Sequence, residues 1–193
     1  EVDADLLSLA AHKFGGPPGV GALVVRRGVE LEALAPGHQE GGKRGGTVNV
    51  AWAEALALAL ELATRDVAAK AERLSQVRNE FETQVRNLID GVQVLGGGVP
   101  RVPNTSNLTF SGLDGTTLLT ALDLEGICAS SGAACASGSL TPSHVLRAMG
   151  LELKLSQGAV RFSLGNAPEA AEVDHVLRAL VRHVPQIRTF APE

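Results

Sequence analysis

Gly126-Ile127-Cys128-Ala129-Ser130-Ser131-Gly132-Ala133-Ala134-Cys135-Ala136-Ser137-Gly138-Ser139-Leu140-Thr141-Pro142 carries three local signals in one run. The apolar residues around Ile127 read as a short strand, with Cys128 a small buried residue on it. Ser130 to Ser139 is almost entirely Ser, Gly and Ala, which marks a loop. Thr141 followed by Pro142 reads as a helix start: the hydroxyl caps the first turn, and proline stands where its missing N–H costs nothing. Strand, loop and helix therefore follow one another, with a single thiol, Cys135, inside the loop. A nucleophilic cysteine needs access and thiolate character, and such a loop supplies the access. His144 reads as a capping or surface histidine in preference to a base for Cys135. A Cys128–Cys135 bridge would need a special reason in a reducing compartment.

The same alternation extends both ways. Downstream, Ala159 to Leu164 predicts a strand, and a last helix follows with Val173, Val176, Leu177, Leu180, Val181 and Val184 on one face. Upstream, Asp114 opens a helix over Thr116 to Leu124, preceded by strands at Asn107 to Phe110 and Val92 to Leu95. From Asp66 to Ile89 apolar residues recur every three or four positions (Leu74, Val77, Phe81, Val85, Leu88) among Lys, Arg and Glu, an amphipathic surface helix. The composition shifts near Thr64 to Asp66, which places a domain boundary there, giving 1–64 and 65–193. Before it, Asn49 to Ala63 is rich in Ala and Leu nearly all round and predicts a largely buried helix. Ala22 to Val25 predicts a strand, and Leu6 to Ala11 a buried one. Strands alternating with helices make a layered α/β or α+β protein.

The chain has 193 residues, a formal net charge of −4 and 45% hydrophobic residues, so it can bury a core and is not of disordered composition. The mildly acidic balance argues against nucleic acid as a partner, and no apolar run is long enough for a membrane span. Two cysteines without a CxxC spacing form neither a disulfide framework nor a zinc site, which fits a cytoplasmic protein. The sequence opens on Glu1 without Met and is soon apolar, and is expected to be the C-terminal part of something longer.

Three further segments can carry chemistry. Ala11-His12-Lys13-Phe14-Gly15-Gly16-Pro17 puts His and Lys at a strand end. Lys13 is either a surface lysine or a partly desolvated amine able to form a Schiff base. Gly42-Lys43-Arg44-Gly45-Gly46-Thr47 is a basic glycine loop running into a helix. It is either a surface loop with Thr47 as N-cap or a phosphate cradle built from N–H groups, the hydroxyl and the helix N-terminus. Val160-Arg161-Phe162-Ser163-Leu164-Gly165 sets an arginine in a strand, facing either solvent or a cleft where its fork suits a carboxylate.

In that order and combination, the His-Lys strand end, the basic loop ending in Thr, Ser-Ser-Gly-x-x-Cys and Arg-Phe-Ser-Leu-Gly resemble the cysteine desulfurases over nearly the whole chain. The cysteine loop and Leu140 to Gly150 resemble the branch with the long cysteine loop. The resemblance implies a pyridoxal-phosphate (PLP) enzyme of the aspartate-aminotransferase fold (fold type I). Residues 1–64 would be the tail of the large cofactor-binding domain, and 65–193 the small α+β domain. It implies that Lys13 holds the cofactor, His12 lies against it, and Thr47 reaches the phosphate in the neighbouring subunit of a homodimer. Arg161 would clamp the carboxylate of L-cysteine, and Cys135 would take up its sulfur as a persulfide and leave L-alanine. A sulfur-acceptor protein such as an iron–sulfur scaffold would follow, with no resident metal and at most a transient iron–sulfur contact at Cys135.

Ala10 stands where many members carry a Ser or Thr that bonds the phosphate; Pro18 and Gly41 are peripheral departures. The family's ring-stacking His, its Asp at the pyridine nitrogen and its Gln near the ring hydroxyl have no counterpart here. Selenocysteine lyase, another PLP-dependent lyase or transferase of the same fold, and an inactive fragment are the alternatives.

Overall fold

The computed structural model of this mixed α/β chain describes residues 3–131, 143–165 and 167–190. The chain divides into two compact units, Glu1–Val67 and Ala68–Glu193. None of the helices among the described residues is long and apolar enough to cross a membrane.

In the first unit, β1 (Leu6–Ala10) and β2 (Gly21–Val25) form an antiparallel ribbon, running from Leu6 opposite Val25 to Ala10 opposite Gly21. A 3₁₀ turn over Ala11–Lys13 follows β1, and α1 (Val50–Thr64) closes the unit. The burial expected for Leu6 to Ala11 is corrected at its start, where Leu6 is 44% and Leu7 50% exposed, and holds at its end, where Ala11 is fully buried. Successive strand residues point to opposite faces, so both faces are open at the Leu6 end of this ribbon. The helix expected to be largely buried behaves likewise. Ala59 is its one buried residue, while Trp52, Leu58 and Leu62 are exposed. Gly16 and Gly19, which follow the turn, stand close to Ala59 and Trp52 of α1 and cover only a narrow stripe of it. Asn49 caps α1, its side chain accepting from the Trp52 amide at 3.3 Å. Thr47, two residues earlier, is therefore not the N-cap.

In the second unit β3 (Val92–Val94), β4 (Thr105–Phe110) and β5 (Ala159–Ser163) form an antiparallel sheet in that order. One face carries Leu108, Phe110, Val160 and Phe162 into a core. Helices α2 (Val67–Leu88), α3 (Gly115–Leu124) and α6 (Ala170–Thr189) meet it with Phe81 and Val85, Leu118 and Leu122, and Leu177, Leu180 and Val184. Phe81 and Phe162 pack edge-to-face, centroids 5.4 Å apart, an arrangement aromatic pairs prefer. Asp114 caps α3, accepting from the Thr117 amide at 3.0 Å. The opposite face of the sheet holds a smaller cluster of Leu95, Leu146 and Ala159, formed with α4 (His144–Ala148) and α5 (Leu153–Gln157) nearby in sequence. The residue preceding α4 is Ser143; the expected cap Thr141 and Pro142 lie outside the described residues.

Two polar fastenings hold this unit. Glu82 on α2 takes both Arg101 nitrogens, at 2.6 and 2.7 Å, and Arg78 donates to the Val102 carbonyl at 2.7 Å. Burial, the largest single influence, pushes the Glu82 carboxyl up, but the bonds and charge of Arg101, with Ser106 and the charge of Arg78 adding, together outweigh it, and the group lies below the ordinary carboxylate range. At the far end of α6, Arg188 donates to the carbonyls of Ser111 and Asp90. Gly158 is required by contact: a Cβ there would sit 2.2 Å from the Phe110 carbonyl oxygen.

Candidate functional site

In the first unit, Lys13 ends the 3₁₀ turn that β1 runs into. Ala11 at the head of the turn is fully buried. Its carbonyl accepts from the Phe14 and Gly16 amides, at 3.1 and 2.9 Å. Gly16 fits where a Cβ would lie 2.9 Å from the Ala11 Cβ and 3.1 Å from the Ala59 Cβ. The turn is thus clamped onto α1, while His12 and Lys13 both remain exposed. The desolvated lysine considered from the sequence is accordingly not found; the backbone is fixed and the amine stands in solvent.

The basic glycine loop is folded on itself. The Gly45 amide donates to the Ala35 carbonyl at 2.6 Å, Gly42 to Gln39 at 2.9 Å, Lys43 to Glu40 at 3.2 Å, and Gly46 to the Gln39 side-chain oxygen at 3.2 Å. These four N–H groups are spent within the loop. What it offers outward is side chains, among them the exposed Thr47. A phosphate would therefore be met by side chains such as the Thr47 hydroxyl in preference to a backbone cradle. The exposed Lys13 amine suits a carbonyl and the exposed Thr47 hydroxyl a phosphate, and in that sense PLP fits the residue types present.

In the second unit, Arg161 is half-buried at the centre of β5. Its amide donates to the Ser130 carbonyl at 2.7 Å, and the Ser130 amide donates back at 3.0 Å. The arginine strand thereby grips the residue from which the Ser-Ser-Gly-x-x-Cys segment departs. On its other side Arg161 stands opposite Asn107 of β4. Asn107 Oδ1 and Ser130 Oγ are buried and accept no hydrogen bond among the described residues. Asn107 was not singled out from the sequence, though an Asn within a strand runs against β-propensity and is the signal that could have found it.

Cys135 lies outside the described residues. Cys128, expected as a buried strand residue, is exposed, and the backbone pairing falls two residues later at Ser130. Cys128 borders a cleft of about 420 Å³ lined also by Phe162, Leu164, Gly165 and His175. Beside it, Glu125 accepts from Arg182 at 2.7 Å and pairs with His183 Nε2 at 2.9 Å. The His183 bond, with Arg182 and His175 adding, holds the Glu125 carboxyl below its ordinary range. Among the described residues no three His, Cys, Asp or Glu side chains form a metal site.

Comparison with known proteins adds the following. Residues 1–176 match the family described as aminotransferase class-V. A cysteine desulfurase of Klebsiella pneumoniae is 42% identical over 189 residues, covering 97% of this chain and 47% of that protein. A solved NifS-like protein aligns with a TM-score of 0.80 at 33% identity, covering 97% of this chain and 47% of its own. SspA, solved in complex with cysteine, aligns with a TM-score of 0.63 at 32% identity over 86% of this chain and 45% of its own. The chain spans about half the length of the curated relatives it matches.

Proposed function

The chain belongs to the class-V aminotransferase family, and from that premise we propose that it provides the lysine, the carboxylate clamp and the sulfur-accepting thiol of a PLP-dependent cysteine desulfurase. The observation that carries the reading is the mutual backbone grip of Arg161 and Ser130. It ties the arginine that suits a substrate carboxylate to the root of the segment bearing Cys135. The cysteine bound to SspA and the named activity of the relatives support the same substrate.

Lys13 would hold the cofactor through its Nζ and, once displaced by substrate, move the proton at the substrate's α carbon. His12 would lie against the cofactor, and Thr47 would donate its hydroxyl to the phosphate bound in the second subunit of a homodimer. Bound PLP supplies an electron sink for the bonds at the substrate's carbons. Arg161 orients L-cysteine through two parallel bonds to its carboxylate. The Cys135 thiolate attacks the substrate sulfur and the carbon–sulfur bond breaks. Its electron pair stays with the carbon skeleton, which is protonated to L-alanine. The persulfide on Cys135 then passes to an acceptor protein, an iron–sulfur scaffold being one of suitable chemistry, in the cytoplasm.

The test is sulfide and alanine release from L-cysteine by the PLP-loaded protein. Cys135→Ala is expected to abolish sulfide release while PLP is retained through gel filtration, and Lys13→Ala to lose PLP. Sulfide release surviving in Cys135→Ala would overturn the assignment.

A further inference from the structure

Helix α3 ends in a left-handed turn. Gly126 takes a φ of 75°, its amide donates to the Asp123 carbonyl at 2.9 Å, and the Ile127 amide donates to the Leu122 carbonyl at 2.9 Å. Such a pair of bonds stops a helix and turns the chain away, and Leu122 and Ile127 both lie in the core beneath it. The chain then runs over Cys128 and Ala129 to Ser130, which meets Arg161 as a single bridge and not as part of a strand ladder. β5 is the outer strand of its sheet, and Arg161 spends its N–H and its C=O on Ser130, at 2.7 and 3.0 Å. A one-residue bridge has no ladder to fix its register, and a slip of one position turns the side chain to the other face. Its register is inherited from the turn at Glu125.

Three side chains of α6 converge on Glu125. Arg182 Nη1 donates to its Oε1 at 2.7 Å and His183 Nε2 to the same oxygen at 2.9 Å, while His175 Nε2 donates to its carbonyl oxygen at 3.1 Å. Carboxylate and carbonyl oxygens only accept, so each imidazole donates from Nε2. The carbonyl is one of those that a helix end leaves without an internal partner. The Arg182 side chain is 57% exposed against 20% for His183, and an exposed ion pair is worth little in water. The sheltered His183 bond therefore carries most of the clasp.

We propose that Glu125 is a positioning residue: clasped to α6, it fixes the turn from which Ser130 reaches Arg161, and so holds the backbone that carries the carboxylate clamp. Ile127 stays in the core when the clasp is removed, so the effect is a loosened Ser130–Arg161 pairing and not an unfolded unit. The inference rests on the reading of Arg161 as the carboxylate clamp.

The test is amide hydrogen exchange, which reads the local opening of individual pairs and needs neither cofactor nor turnover. In Glu125→Ala the Arg161 and Ser130 amides are expected to exchange about tenfold faster, the loss of one hydrogen bond to a charged group. The Phe110 amide, bonded to the Gly158 carbonyl at 3.1 Å, should keep its wild-type rate. Glu125→Gln keeps an acceptor oxygen and should restore most of the protection. Arg182→Met combined with His183→Phe withdraws the donors from the other side and should reproduce the Glu125→Ala effect; it takes the place of Glu125→Ala should that variant fail to fold. Unchanged exchange at Ser130 and Arg161, or faster exchange shared equally by Phe110, overturns the proposal. In the PLP-loaded protein the same loosening should raise KM for L-cysteine severalfold in Glu125→Ala and little in Glu125→Gln. If the exchange responds as expected while KM does not, the carboxylate reading of Arg161 falls and the positioning stands.

Discussion

Replacing Arg101 with methionine removes one half of an ion pair whose side chains are only 18% and 9% exposed. Glu82 then keeps its charge in a buried site without the two short bonds that now hold it. Breaking such a pair from one side costs about 3–5 kcal/mol. Arg78, which also favours the charged form of Glu82, remains nearby and sets the expectation at the low end, about 3 kcal/mol. Urea unfolding of the chain, followed at several pH values, measures this. In the wild type the Glu82 carboxyl lies below its ordinary 4.5, so its contribution is present above that value and is lost as pH falls through the folded one. In Arg101→Met the burial contribution acts with far less opposition and raises the carboxyl. The folded state then binds the proton more tightly than the unfolded chain, and stability declines as pH rises through that range. Glu82→Leu combined with Arg101→Met removes the stranded charge and should return to within about 1 kcal/mol of wild type. A loss below about 1 kcal/mol in Arg101→Met, or an unchanged acid limb, would refute the reasoning.

Gly158→Ala tests a purely steric requirement, since the glycine's φ of −82° is open to any residue. The new Cβ would force β5 away from the Phe110 carbonyl, with an expected loss of about 1–3 kcal/mol in urea unfolding. Glu125→Gln removes a carboxyl held below its ordinary 4.5 chiefly by the His183 bond. The wild-type contribution is present above that value and lost as pH falls through the folded one, so the variant's stability profile should be flatter on the acid side. The exposed Cys128 thiol should react with a maleimide in the folded Cys135→Ser variant as completely as in urea; protection in the folded state would contradict its exposure.

Local signals were legible wherever a neighbour in sequence is also a neighbour in space. The Asp114 cap, the apolar face of α6 through Leu177, Leu180 and Val184, and the strands β4 and β5 are of this kind, because hydrogen bonding within a turn and side-chain periodicity are set by adjacent residues. The chemistry-bearing types in order, Lys13, Thr47 and Arg161, were equally plain as text. Burial was not. Leu6 and Leu7 read as interior residues, yet what covers a strand is decided by other elements, and among the described residues the β1–β2 ribbon leaves both exposed. The same holds for the apolar residues of α1.

Partnership across the chain belonged wholly to the tertiary structure. Nothing near Asn107 in sequence names Arg161, and nothing near Glu82 names Arg101. The antiparallel register of β4 against β5 sets the first meeting, and the fold of the connection between β3 and β4 against α2 sets the second. Amino-acid order determined which groups the chain owns and the local geometry that each prefers. Which of them stand face to face was decided only when the sheet closed over its core, since register is chosen by the burial of Leu108, Phe110, Val160 and Phe162 on the other face.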